Sequence, residues 1–131
     1  MPIDVKELGA FPIFGPLAPD ELAKLAAGAE RIEIDEPGVE LTQQGEFGHC
    51  MFVVLKGKAT VAIDGEHVRG ISVGDPFGEI AVLSAGRRTA TVVSATPLVL
   101  ARISKRDIWA IEEKNDAFAV ELRRIRAMHD V

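Results

Sequence analysis

The chain has 131 residues, 47% of them hydrophobic and 27% charged, which suits one domain with a substantial core and excludes both two ordinary domains and a disordered chain. Its 15 Lys and Arg residues against 20 Asp and Glu give a net charge of −5. Nucleic acid is therefore not the expected partner, because such binding depends largely on neutralising phosphates. The single cysteine, Cys50, excludes an internal disulfide and a cysteine-based metal cluster.

The sequence shows no membrane or secretion signal. No apolar stretch approaches the roughly 18 residues that cross a bilayer. The segment from Met1 to Gly15 lacks a basic stretch that leads into apolar residues. We therefore predict a single domain over residues 1–131, without a membrane span and located in the cytoplasm.

The first third of the chain changes from a helical to an extended pattern. Pro19 and the two acidic residues after it suit a first helical turn, and apolar residues then recur at helical spacing as far as Gly28. From Arg31 the period becomes two, with Ile32 and Ile34 on one side, as in a half-buried strand. The pattern predicts a helix followed by a strand.

Short apolar runs alternate with glycines between Val39 and Ile71. The pair Asp64-Gly65 between two of these runs is a strong hairpin signal, because both central residues of a tight turn need positive φ. Strands at this spacing, without a long helical pattern between them, indicate an antiparallel sandwich or barrel.

The next part of the chain mixes helical and extended patterns. Phe77–Leu83 contains no proline and predicts a short helix, whereas Thr89–Ser94 is rich in β-branched residues and predicts a strand. A last strand is predicted after it, with one face formed by Val99, Ala101 and Ile103.

Two helices are predicted at the C-terminal end. Ser104, followed three residues later by Asp107, resembles a capping box at the start of the first helix. The second helix is predicted from about Asp116, because four residues then fall at i, i+4, i+7 and i+11: Phe118, Leu122, Ile125 and His129. Its other face is charged and is predicted to be solvated.

The segment 74–92 carries the strongest functional signal. A loop that leads through Gly78 into a short helix presents free backbone N–H groups at the first helical turn, where an anion can bind. Arg88, arriving from the next strand, would add a planar, permanently charged donor fork for two phosphate oxygens. Glu79 would repel a phosphate unless it accepts a hydrogen bond from a neighbouring sugar hydroxyl. These groups describe a pocket for a compact sugar-phosphate with one negative charge, which suits a cyclic nucleotide.

Two runs resemble the phosphate-binding cassette of the cyclic nucleotide-binding domain family: Phe77-Gly78-Glu79-Ile80-Ala81-Val82-Leu83 and Arg88-Thr89-Ala90-Thr91-Val92. This family includes the regulatory subunits of cAMP-dependent kinase, the catabolite activator protein and the sensor domains of cyclic-nucleotide-gated channels. The resemblance extends from about Phe14 nearly to the end of the chain, because further residues stand where the family has its glycines and strands: Pro37-Gly38, Gly45-Glu46, Gly48, Met51-Phe52-Val53-Val54, Gly57 and Gly74-Asp75.

The resemblance implies an α+β fold, an antiparallel β-barrel or jelly roll (a double-stranded β-helix) flanked by N-terminal helices and two C-terminal helices. It implies a non-catalytic sensor whose cassette, at about residues 75–92, binds cAMP or cGMP. It assigns the ribose 2′-hydroxyl to Glu79, the cyclic phosphate to Arg88, and a phosphate or guanine contact to Thr89. Mainly backbone contacts are implied for Gly78, Ile80, Ala81 and Ala90.

The resemblance also implies that the C-terminal helices, at about residues 104–131, form a lid over the base. Arg126 and His129 share one helical stripe with Leu122, so each is a candidate to face the purine. One departure concerns His49, which stands where the family often has an acidic residue.

Two other classes of function remain open at this point. One is a domain that has lost its ligand and acts in protein interaction or dimerisation. The other is a cupin-like metal enzyme, which is disfavoured because the three histidines are too scattered to share a metal ion. We expect no metal or cofactor beside the nucleotide, and we expect the effector in another protein or in a further part of a longer chain.

Overall fold

The computed structural model describes residues 3–44, 50–77 and 90–129, with side chains described as far as Ile125. The helices are α1 (Val5–Gly9), a 3₁₀ turn (Pro12–Phe14), α2 (Pro19–Gly28), α3 (Lys105–Glu112) and α4 (Asp116–His129). The strands are β1 (Glu30–Ile34), β2 (Glu40–Thr42), β3 (Cys50–Lys56), β4 (Ala59–Ile63), β5 (Glu66–Ile71), β6 (Pro76–Phe77), β7 (Thr91–Ser94) and β8 (Leu98–Ser104).

These strands form two antiparallel sheets. The first sheet has the order β1-β8-β3-β6 and the second has the order β2-β7-β4-β5. Among the described residues no strand of one sheet pairs with a strand of the other, so the sheets form a jelly-roll-like sandwich and not a closed barrel. The predicted jelly roll with helices before and after it is confirmed in this form.

Strand β3 is buried on both faces. Its residues Phe52 and Val54 point between the sheets, whereas Met51, Val53 and Leu55 pack against the helices. Since successive side chains of a strand point in opposite directions, a strand covered on both sides reads as a continuous apolar run. The two buried faces explain the unbroken apolar run of β3, because a strand with only one buried face would alternate apolar and polar residues.

Strand β8 has the same two-sided environment. The predicted face of Val99, Ala101 and Ile103 packs against the helices, while Leu98 and Leu100 contribute to the core between the sheets. The first sheet therefore separates two hydrophobic cores, one lying between the sheets and the other beneath the helices.

The helical layer is joined by Asn115, which precedes α4. Its side-chain oxygen accepts a hydrogen bond from the N–H of Phe118 at 3.0 Å, and its amide donates to the carbonyl of Pro16 at 3.0 Å and to Glu21 at 2.8 Å. The Phe118 ring packs 6.5 Å from that of Phe14. One polar side chain thus caps α4 and ties it to the start of α2.

Most local predictions agree with the structure. Asp64 and Gly65 have φ of 52° and 81° and join β4 to β5 as the predicted hairpin. The hydroxyl of Ser104 accepts from the N–H of Asp107 at 3.3 Å, which begins α3 as expected. The helix predicted over Phe77–Leu83 is wrong at its first residue, because Phe77 ends strand β6; residues 78–83 lie outside the described part of the chain.

The turn after β3 depends on Gly57. Its φ is +92°, and a Cβ atom there would lie 2.3 Å from the carbonyl oxygen of Pro97. Gly65 has a similar φ of +81° but open space around it. We expect Gly65→Ala to lower the free energy of unfolding by about 1–2 kcal/mol through backbone strain alone. Gly57→Ala should cost more than twice as much, which urea denaturation will measure; equal losses would contradict the steric explanation.

Ser94 provides a second test of the sandwich. It is 3% exposed, and its hydroxyl donates to the carbonyl of Glu36 at 2.8 Å and accepts from the N–H of Val39 at 2.9 Å. Ser94→Ala should lower the free energy of unfolding by about 1–3 kcal/mol, because both backbone groups lose their partner. The exposed Ser72→Ala is the control, and thermal denaturation showing the same small loss for both variants would argue against this role.

Candidate functional site

The structure describes both ends of the predicted cassette. Residues 75–77 form its start and residues 90–92 form its end. The predicted ligand contact Ala90 is therefore described. The other six predicted contacts lie outside the described residues: Gly78, Glu79, Ile80, Ala81, Arg88 and Thr89. Their assigned roles stay predictions.

The start of the cassette is anchored to β3 by backbone hydrogen bonds. Gly74, with φ of +90°, donates its N–H to the carbonyl of Val54 at 2.8 Å, and Val54 donates to the carbonyl of Asp75 at 3.1 Å. The Asp75 carboxylate accepts from the N–H of Ser72 at 2.9 Å, which closes the turn between β5 and β6. A φ of +90° is strained for most residues with a side chain but not for glycine, so the glycine at 74 favours this anchor.

Phe77, the last described residue at the start of the cassette, is fixed inside the core between the sheets. Its side chain is 2% exposed and stacks on Phe52 with ring centroids 4.9 Å apart and planes 18° from parallel. The two residues also face each other in the pairing of β3 with β6. This stacking in register explains why the backbone at Phe77 is extended, although the local sequence favours a helix.

The end of the cassette is anchored to the second sheet. Ala90 is half-buried against the core between the sheets, and its carbonyl accepts a long hydrogen bond of 3.5 Å from the Thr42 hydroxyl. The hydroxyl of Thr91 accepts from the N–H of Gln44 at 3.0 Å. Val92 is 4% exposed and pairs with Val61 of β4.

The cassette therefore begins in one sheet and ends in the other. Phe77 belongs to the first sheet through β6, and Thr91 belongs to the second through β7. Both ends contribute to the hydrophobic core between the sheets, through Phe77 and Ala90. A ligand held by residues 78–89 would thus be held by a segment whose two ends are fixed on opposite walls of the sandwich.

Helix α4 lies beside the turn that starts the cassette. Glu121, Arg124 and Ile125 line a cleft of about 270 Å³ together with the 3₁₀ turn and residues 73–76. Arg124 donates from Nε to Glu121 at 3.1 Å, and this hydrogen bond lowers the pKa of the Glu121 carboxyl below its usual value. Arg124 is exposed and Glu121 is half-buried, so the pair contributes a small stabilisation. This stabilisation is present above the ordinary glutamate range and is lost as the pH falls through the lowered pKa.

The lid prediction falls at the end of this helix. The backbone of α4 extends to His129, but the side chains of Arg126 and His129 lie outside the described ones. Leu122, on the same stripe, is fully buried beneath the helices. Contact of Arg126 or His129 with a base stays a prediction.

No group of three His, Cys, Asp or Glu side chains comes together among the described residues in a way that could hold a metal ion. None of the helices in the described part of the chain combines the length and apolarity needed to cross a membrane. Sequence reasoning did not single out Gln44 or Thr42, because their hydrogen bonds join residues 20 to 48 positions apart.

The comparisons with a family model and with curated proteins point to the same family. The family model for the cyclic nucleotide-binding domain matches residues 36–115, which include the whole predicted cassette. A cyclic nucleotide-gated potassium channel of Rhizobium etli is 30% identical over 117 residues, covering 89% of this chain and 32% of the channel. The cAMP-dependent protein kinase regulatory subunit of Yarrowia lipolytica is 38% identical over 96 residues, covering 72% of this chain and 25% of that protein.

A solved structure agrees with these relatives. The regulatory domain of Toxoplasma gondii PKA, crystallised with cAMP, superposes with a TM-score of 0.74 at 28% identity, covering 82% of this chain and 42% of that one. The chain spans between a quarter and a third of the length of the two curated relatives. Because the family model matches well over half of the chain and the fold agrees, the chain belongs to the cyclic nucleotide-binding domain family.

Proposed function

We propose that the protein is a non-catalytic sensor module that binds a cyclic nucleotide, cAMP or cGMP, in its cassette. The observation that carries this proposal is the anchoring of the cassette on both sheets, at Phe77 and at Thr91, in a chain of this family. The crystallised Toxoplasma gondii relative, which binds cAMP, supports the ligand class. No observation on the described residues favours an enzyme or a ligand-free interaction module.

In this proposal Arg88 binds the cyclic phosphate and Glu79 accepts from the ribose 2′-hydroxyl. The guanidinium is planar and permanently charged, so it matches two phosphate oxygens with two parallel donors. Backbone N–H groups of Gly78, Ile80, Ala81 and Ala90 would add donors without adding charge. The cation of Arg88 would compensate the single phosphate charge, which limits the cost of taking these two groups out of water.

Transmission of the signal would use the cleft between α4 and the turn that leads into the cassette. Residues 73–76, which lead into the cassette, line the same cleft as residues 121, 124 and 125 of α4, so a shift of the cassette would change the shape of the cleft beside α4. Ligand favours one arrangement of α4 only if it binds that arrangement more tightly than the other. The effector would be another protein or a further part of a longer chain, in keeping with relatives three to four times as long as the matched region.

Replacement of Arg88 tests the phosphate contact. We expect Arg88→Ala to weaken cAMP binding by about 100-fold, because a desolvated charge pair loses one partner. Arg88→Lys should fall between wild type and Arg88→Ala, since it keeps the charge but loses the planar fork. Isothermal titration calorimetry will measure these affinities.

The neighbouring Arg87→Ala is the matched control for this experiment. It removes the same charge one position away, on a residue expected to be solvated, and should change the affinity by less than about twofold. Unchanged binding by Arg88→Ala, or equal losses in the two variants, would overturn the proposed role of Arg88.

Thr89 tests the choice between the two nucleotides. If its hydroxyl contacts the guanine amino group as well as the phosphate, Thr89→Ala weakens cGMP binding by about tenfold and cAMP binding less. Thr89→Ser keeps the hydroxyl and should retain the wild-type ratio of the two affinities. Competition titrations will give this ratio; an equal loss for both nucleotides would restrict Thr89 to the phosphate, and no loss would remove it from the site.

A further inference from the structure

Gln44 forms a junction between three parts of the second sheet. It follows β2, its backbone meets the end of the cassette, and its side chain meets the β4–β5 hairpin. The N–H of Gln44 donates to the Thr91 hydroxyl at 3.0 Å. The side-chain amide donates to the Asp64 carboxylate at 3.0 Å, and its oxygen accepts from the N–H of Asp64 at 2.8 Å.

The junction lies where the backbone ladder between β2 and β7 ends. The last described pair of that ladder is Thr42 with Val92. Beyond it, towards the cassette, side-chain hydroxyls replace backbone partners: Thr42 donates to the carbonyl of Ala90, and Thr91 accepts from Gln44. The last residues of the cassette are therefore held on this side by side-chain hydrogen bonds.

The pairing of Gln44 with Asp64 requires a group that both donates and accepts. An amide has both functions, whereas a carboxylate of similar shape only accepts. Asp64 has φ of 52°, at the tip of the hairpin, so the pairing ties Gln44 to a turn of defined geometry. An isolated exposed hydrogen bond contributes little to stability. The pairing of Gln44 with Asp64, however, joins the hairpin to the residue that also bonds Thr91.

We propose that Gln44 is a positioning residue, which fixes the end of the cassette against the β4–β5 hairpin and thereby sets the affinity for the cyclic nucleotide. The affinity part rests on the proposed function. Gln44 itself need not touch the ligand. It acts through Thr91, which stands three positions after Arg88, the group proposed to bind the phosphate.

The test combines a substitution that adds a charge at position 44 with a second substitution, at position 64, that is expected to restore the pairing. Gln44→Glu places a second carboxylate beside Asp64 and removes the donor, so it should break the junction. We expect cAMP binding to weaken by about fivefold, the equivalent of one hydrogen bond. Adding Asp64→Asn supplies a new donor and tolerates positive φ, so the double variant should recover most of the affinity.

Gln43→Glu is the matched control, because it makes the same charge change on the exposed preceding residue, whose side chain has no hydrogen-bond partner among the described residues. It should leave the affinity within about twofold of wild type. Amide hydrogen exchange without nucleotide is the second readout. Gln44→Glu should speed exchange in residues 88–93 and leave residues 51–55 of β3 unchanged.

Each result decides the inference. Unchanged exchange in residues 88–93, or faster exchange with unchanged affinity, would overturn the positioning role, as would a failure of Asp64→Asn to restore binding. General loss of protection, including β3, would show a merely structural role. If the wild-type protein binds neither cAMP nor cGMP, the proposed function is wrong, and so is the part of this inference that concerns affinity. Amide hydrogen exchange would still decide whether Gln44 holds the end of the cassette.

Discussion

The burial of both faces of β3 and β8 is the constraint on which the rest of the molecule depends. One face of each strand meets the second sheet and the other meets the helices, so a single sheet serves two hydrophobic cores. A shift of either strand by one residue would exchange its two faces, and both cores would then receive the wrong side chains. The register of β3 and β8 is therefore strongly determined. Strand β6 takes its position from β3, with which it pairs.

The cassette uses this rigid arrangement at both of its ends. On the first sheet it begins from a backbone anchor and a buried aromatic stack, Phe77 on Phe52. On the second sheet it ends at β7, where hydrogen bonds of the Thr42 and Thr91 hydroxyls succeed the backbone ladder to β2. The two anchors differ, because the first combines backbone hydrogen bonds with aromatic packing, whereas the second adds the polar groups of buried Thr42 and half-buried Gln44 to its pairing with β4. In the proposed function, the second anchor is the one that small changes in sequence adjust most easily.

Much of the fold could be predicted from residue spacing, because its signals are local. The hairpin at Asp64-Gly65 follows from the need for positive φ, and α3 begins at the capping serine, Ser104. The helix predicted from Phe77 is wrong at Phe77 itself, because stacking on Phe52 outweighs the local preference for helix there. The family resemblance, drawn from the order of glycines and from the cassette motif, is confirmed by the family match.

The sequence by itself determined the family, the order of most elements and the residues proposed to bind the ligand, since these depend on residue type and on spacing along the chain. Only the tertiary structure decided that the sheets form an open sandwich, that β8 is buried on its second face, and that the cassette runs from one sheet to the other. It also brought Gln44 to Asp64 and Thr91, across 20 and 47 positions. Such contacts depend on strand order and register, which are set by the burial of whole sheet faces and leave no local mark at the residues that meet.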